Sequence, residues 1–162
     1  MAGGPQPAAA GYQPPARGCS VALRIMALDL GNRRIGVAVC DPDETLAQGI
    51  TVIERRSRKL DLETLSSLAR ELAVGEMVVG YPLLLSGQPG EQARAAKRVG
   101  KAVGRSVGLP VVYWDERLTT AAARRLMREA GIPGHRQGER VDAAAAELIL
   151  QNYLDWRRRE SQ

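Results

Sequence analysis

The chain of 162 residues has no phenylalanine, and aromatic side chains make up only 4% of it against 44% hydrophobic residues overall. Its core must therefore be aliphatic. So few rings argue against a platform for stacking unpaired bases and for backbone or shape recognition of any nucleic-acid partner. The single histidine, His135, and the two cysteines, Cys19 and Cys40, are too few and too poorly placed for a zinc cluster or a disulfide framework. No apolar run approaches the roughly 20 residues of a membrane span, and residues 1–20 lack the apolar stretch of a signal peptide. These absences lead us to expect a reduced, cytoplasmic setting and no membrane partner.

Positive charge is in surplus: 23 Lys and Arg against 18 Asp and Glu give a net +5, which favours a polyanionic partner. The length suits one domain with a full core. Residues 1–23 are mostly Gly, Pro and Ala, a composition that buries too little surface to offset its ordering entropy, so we expect a disordered tail. A folded domain is expected over 24–157, followed by a basic tail at 158–162.

Ile25 to Leu30 and Ile35 to Val39 are apolar runs separated by a Gly-Asn turn, which predicts a hairpin. A turn at Asp41-Pro42-Asp43-Glu44 and the run Gly49 to Ile53 add a third strand, making an antiparallel meander. The period then changes. Leu62, Leu65, Leu68, Ala69 and Leu72 share one face of a helix over 59–73. Glu76 to Gly80 reads as a strand covered on both faces, and a long loop with two prolines and two glycines follows it. A helix from about Glu91 to Val107 buries Ala93, Ala96, Val99 and Val103. It offers Arg94, Arg98, Lys101 and Arg105 as one basic stripe, either a solvated face or a surface for phosphates. Leu109 to Trp114 gives a fifth strand. Thr119 or Thr120 can cap a helix ending near Ala130, and a last helix from Val141 to about Arg157 carries Asp142, Ala145, Ala146, Ile149, Tyr153 and Trp156 on its apolar stripe.

This order predicts an α/β domain with a mixed sheet. Within it, Asp29 shares the face of Ile25 and Ala27, where an ionised carboxylate costs several kcal/mol unless it is hydrogen-bonded, paired or bound to a cation. It can cap the turn, pair with Arg33 or Arg34, or bind a metal. If the first, fourth and fifth strands run parallel, Glu116 lies at the same carboxyl edge, and the last helix can bring Asp142 there. Three such carboxylates repel one another unless a cation sits between them. Oxygen-only ligands suit Mg²⁺ or Mn²⁺, and two ions about 3.5 to 4 Å apart are the arrangement that serves phosphodiester hydrolysis. Arg33, Arg34, Arg117 and Arg140 lie beside these acids in sequence. Each is either a local salt-bridge partner or a grip on phosphate oxygens, and Arg136 lies in the basic loop before the last helix.

The motifs Asp29-x-Gly31-x-x-Arg34-Ile35-Gly36-Val37-Ala38, Val79-Gly80-Tyr81-Pro82, Asp115-Glu116-Arg117-Leu118-Thr119-Thr120 and Val141-Asp142-Ala143-Ala144-Ala145 with Ile149-Leu150-Gln151-x-Tyr153 resemble the YqgF/RuvX family over about residues 24–156. The resemblance implies a ribonuclease H-like fold, with a five-stranded sheet in the order 3-2-1-4-5 flanked by helices. It also implies a metal-dependent nuclease that trims the 5′ end of precursor 16S ribosomal RNA, with Asp29, Glu116 and Asp142 as metal-binding and catalytic acids. Arg33, Arg34, Arg94, Arg98, Lys101, Arg117, Arg136 and Arg140 are the expected nucleic-acid contacts. The expected partner is structured RNA, with branched DNA as the alternative, for a monomer or weak homodimer. Two other readings compete. A Holliday junction resolvase would use the same acids but needs a dimer to cut two strands, and a non-catalytic RNA-binding module would need the basic stripe without the acids. A phosphotransferase also opens on Asp-x-Gly, but that class needs two such domains.

Overall fold

A computed structural model of the chain describes residues 23–84, 86–115 and 138–162, with 138–142 described as backbone alone. The two apolar runs form β1 (Arg24–Leu30) and β2 (Arg34–Cys40), paired antiparallel. The Gly31 amide donates to the Arg34 carbonyl at 2.9 Å to close the turn. A Cβ on Gly31 would stand 2.9 Å from that same oxygen, so the turn requires glycine. The next turn is held by Asp41, whose Oδ1 accepts the Thr45 and Leu46 amides at 2.6 and 3.0 Å. The meander then completes with β3 (Ala47–Glu54).

Ser57 caps α1 (Arg58–Glu71) by accepting the Leu60 amide at 3.2 Å. Leu65 and Ala69 are buried on its inner face, with Leu62, Leu68 and Leu72 packed at the rim of the same cluster. β4 (Val74–Tyr81) returns parallel to β1. The strand is longer than the apolar run predicts because Val74 pairs with Arg24 and extends the ladder below Glu76. α2 (Glu91–Val107) ends on Gly108 in the left-handed conformation. β5 (Val111–Asp115) pairs parallel with β4, and α3 (Gly138–Glu160) closes the described chain. The sheet has the order β3-β2-β1-β4-β5, as the sequence leads one to expect. The helix expected after Thr119 lies outside the described residues.

The alternation along β1 separates two cores. Met26 and Leu28 pack with Ile35, Val37, Met77 and Val79 under α1 and α2. On the other face, Ile25 and Ala27 pack with Ala38, Val78, Val112 and Trp114 under Ala145, Ala146, Ile149, Leu150, Tyr153 and Leu154 of α3. The few aromatic residues are concentrated here: Trp114, Tyr153 and Trp156 lie with ring centroids 5.5 to 5.9 Å apart. Among the described residues, no helix is long and apolar enough to cross a membrane.

The last helix departs from expectation at its end. Residues 158–160, read from the sequence as part of a basic tail, continue α3 to Glu160. Tertiary contacts hold this last turn. Arg157 is buried and donates from Nη1 to Glu76 at 3.0 Å, with its Nε 3.8 Å from Glu44, while Arg158 donates to the Thr45 carbonyl at 3.3 Å. Glu76 is itself buried in the sheet and accepts a short hydrogen bond from the Tyr153 hydroxyl. This buried cluster ties the C-terminal half of α3 to the amino end of β4.

Candidate active site at the carboxyl edge of the parallel strands

Because β1, β4 and β5 run parallel, their carboxyl ends share one edge of the sheet. Asp29 sits there as the penultimate residue of β1, opposite Gly36 of β2 and only 1% exposed. Period-two alternation puts it with Ile25 and Ala27 on the α3 face. The ladders pair Leu28 with Val79 and Gly80 with Trp114, which sets Asp29 level with Gly80 and Trp114. Asp115, half-buried at the end of β5, is one residue further out, opposite Tyr81. Neither Asp29 nor Asp115 stands without a partner. β4 lies between β1 and β5, so the two acids are separated by at least two strand spacings, about 9.5 Å.

The helix bearing Asp142 covers the face that Asp29 shares. At its start, the Ala143 carbonyl oxygen comes so near β3 that a Cβ on Gly49 would be 2.8 Å from it. Glu147 Oε2 accepts the Gly49 amide at 2.8 Å, and Gln151 Oε1 accepts the Ala47 amide at 2.9 Å. With Tyr153 and Arg157 anchored on Glu76, α3 crosses the sheet obliquely from β3 at its start to β4 at its end. Gly49 is level with Ala27 across the sheet, whereas Glu76 is level with Ile25, so the helix start is the end nearer the carboxyl edge. Asp142 and Arg140 are in helical backbone immediately before Ala143. Glu116, Arg117 and Arg136 lie outside the described residues.

The basic residues divide by position. Arg33 is exposed in the β1–β2 turn and Arg34 half-buried at the start of β2, both at the edge that holds Asp29. Arg94, Arg98 and Lys101 are exposed along α2, which begins at the same edge and runs away from it. Glu91 lies 3.7 Å from Arg94 and 3.3 Å from Arg98, so part of that stripe is already neutralised in the first turns. Between β4 and α2, the loop beyond Tyr81 folds back on itself through a Leu83–Pro89 bridge. Tyr81 packs edge to face with Tyr113 at 5.9 Å, and burial pushes the Tyr113 hydroxyl above its usual pKa.

Sequence reasoning passed over Arg55 and Asp61. The Arg55 amide donates to the Arg33 carbonyl at 2.8 Å and its guanidinium to the Gly31 carbonyl at 3.0 Å. Asp61, 5% exposed, takes the Arg56 amide at 3.1 Å and Arg55 Nε at 3.4 Å. A signal was present: a run of four cations around a capping serine, at the point where the strand period gives way to a helix.

The donors at this edge are carboxylate oxygens, the chemistry that suits a hard divalent ion rather than zinc. Among the described residues, no three His, Cys, Asp or Glu side chains gather closely enough to hold one. Two of the three expected ligands, Glu116 and Asp142, have side chains outside that description.

The sheet order and the helices on its two faces define a ribonuclease H-like fold, and a solved structure of RuvC from Thermus thermophilus superposes on it. That match has a TM-score of 0.50 and 13% identity, covering 83% of this chain and 96% of the other. The family profile described as "RuvX: Holliday junction resolvase" matches residues 23–156, and the chain belongs to the RuvX family. A protein of Moorella thermoacetica named "Putative pre-16S rRNA nuclease" is 46% identical over 133 residues, which are 82% of this chain and 95% of the relative. One of the same name from Myxococcus xanthus is 44% identical over 133 residues, 82% of this chain and 88% of that one.

Proposed function

We propose that this chain is a metal-dependent nuclease that hydrolyses phosphodiester bonds in structured RNA, with the 5′ end of precursor 16S ribosomal RNA as its substrate in the cytoplasm. The observation that carries the reading is a carboxylate 1% exposed at the carboxyl edge of the parallel strands, on the face that α3 covers. Flanked by β2 and β4, Asp29 is carried on backbone that the sheet holds in place. Asp29, Glu116 and Asp142 are the acids that would hold Mg²⁺ or Mn²⁺, as one or two ions. A bound ion there supplies a water of lowered pKa and neutralises charge on the leaving oxygen.

The arginines divide the remaining work. Arg33 and Arg34 lie at the edge that holds Asp29 and would hold the phosphate that reacts, with Arg117, Arg136 and Arg140 as further phosphate contacts. Arg94, Arg98 and Lys101 would follow the RNA backbone away along α2, with Glu91 weakening the first two. The family profile's description also supports a second substrate, the four-way DNA junction, for which a stable dimer is the prerequisite.

The test is to incubate the purified protein with precursor RNA and with four-way DNA junctions, in Mg²⁺, Mn²⁺ or EDTA, beside Asp29→Asn. RNA cleavage that requires the metal and falls on the order of 100-fold or more in the variant is expected. Cleavage that persists in EDTA, or an Asp29→Asn protein as active as the parent, refutes the reading. Preferential cutting of the junction transfers the activity to DNA.

A further inference from the structure

The cations that follow β3 form a surface of their own beside the proposed site. β3 ends level with the β1–β2 turn, since Glu54 pairs with Arg34, and the chain continues as Arg55-Arg56-Ser57-Arg58-Lys59 into α1. This corner is locked. The Arg55 amide and guanidinium are bonded to the carbonyls of Arg33 and Gly31, Asp61 holds the Arg56 amide, and Ser57 caps the helix. Arg55 also pairs with Asp61, its nearest counter-charge, at 3.4 Å. Arg56, Arg58 and Lys59 are exposed, and among the described residues none of the three has an ion-pair partner within 4.0 Å. Like charges gathered on a fixed corner repel one another, and a polyanion relieves that repulsion.

We infer that this corner is a phosphate clamp for the backbone of the RNA substrate, separate from the α2 stripe and from the arginines that follow Asp29; the inference rests on the nuclease reading above. Its position fixes what it would touch. α1 packs on the sheet face opposite to the one Asp29 shares. The corner lies two strand spacings across and about three residues beyond Asp29, a separation of about 14 Å. The clamp therefore meets the backbone several nucleotides from the reacting phosphate. It therefore contributes to holding substrate and its salt dependence, and nothing to the chemical step on a short one.

The test measures binding of a fluorescein-labelled RNA hairpin by anisotropy across a salt series in EDTA, so that no cleavage intervenes. The variants are Arg56→Ala/Arg58→Ala and, as a charge-matched control, Arg24→Ala/Arg159→Ala at the opposite, amino edge of the parallel strands. Each phosphate contact contributes about 0.9 to the slope of log K against log salt. The clamp variant should thus be shallower by about two, and the control close to the parent. A clamp variant with the parental slope, or a control that loses as much, overturns the proposal. Cleavage in Mg²⁺, run alongside, separates this from the nuclease reading. A parent that cuts RNA while the clamp variant binds normally removes the clamp alone, and a parent that binds through the clamp but never cuts removes the nuclease alone. A parent that does not bind the hairpin removes the clamp and leaves the nuclease reading to the cleavage assay.

Discussion

Replacing Arg157 with methionine removes one charge from a buried cluster and leaves Glu76 behind. Glu76 is 3% exposed and Arg157 7%, and their ion pair at 3.0 Å is backed by the Tyr153 hydroxyl on the other carboxylate oxygen and by Glu44 beyond. Methionine keeps the apolar stem of the arginine, so the loss is mainly electrostatic. Breaking a buried pair by removing one partner costs about 3–5 kcal/mol, because the survivor is an uncompensated charge. At about 2–4 °C per kcal/mol for a chain of this size, the melting temperature should fall on the order of 10 °C. The two tryptophans, Trp114 and Trp156, pack beside Tyr153, so their fluorescence in a urea titration reads the cluster directly. Adding Glu76→Gln to Arg157→Met should recover part of the loss, since an amide needs no counter-ion. A single variant destabilised by less than about 1 kcal/mol, or a double variant no better than the single, refutes this account of what holds the end of α3.

Gly49→Ala should cost about 1–3 kcal/mol in urea unfolding, because its Cβ would lie 2.8 Å from the Ala143 carbonyl oxygen and 3.0 Å from its carbon, and helix backbone cannot give way. At acid pH, the Leu46 and Thr45 amides hold the Asp41 carboxyl below its ordinary value of 3.8. The stability this contributes is present above pH 3.8 and is lost as the pH falls through the lowered value. Urea midpoints of the parent and Asp41→Asn should therefore differ above pH 3.8 and converge below it. A constant difference refutes the assignment.

The opening hairpin, the faces of β1 and the extent of α2 were legible because each rests on local signals such as a two-residue alternation, a Gly-Asn turn and helical periodicity, whereas the order of all five strands came from the family resemblance. The same alternation put Asp29 among apolar groups, where it is found. Glu76 was not legible. It reads as a polar residue opening a strand, and the partners that allow its burial are 77 and 81 residues away, on a helix whose packing angle no local pattern encodes. The end of α3 escaped for the same reason, since contacts to Glu76, Glu44 and Thr45 prolong it where composition suggests a fraying tail. Asp61 drew no attention in the sequence although it is buried and serves two groups of the preceding corner. As for the site, the place of Asp29 at the carboxyl edge was legible from the alternation of β1, whereas Glu116 and the side chain of Asp142 lie outside the described residues.

That α3 supplies one whole side of the interior has a consequence for the order of synthesis. Ile25, Ala27, Ala38 and Val112 are all made before the helix that shields them, and six of the buried residues on that helix fall between 145 and 154. A ribosome-bound nascent chain stopped at Asp115 would hold all five strands with one side wet and greasy, the kind of intermediate that sticks to neighbours or recruits a chaperone. Until residues 145–154 have emerged, nothing else in the described chain covers that face of the sheet.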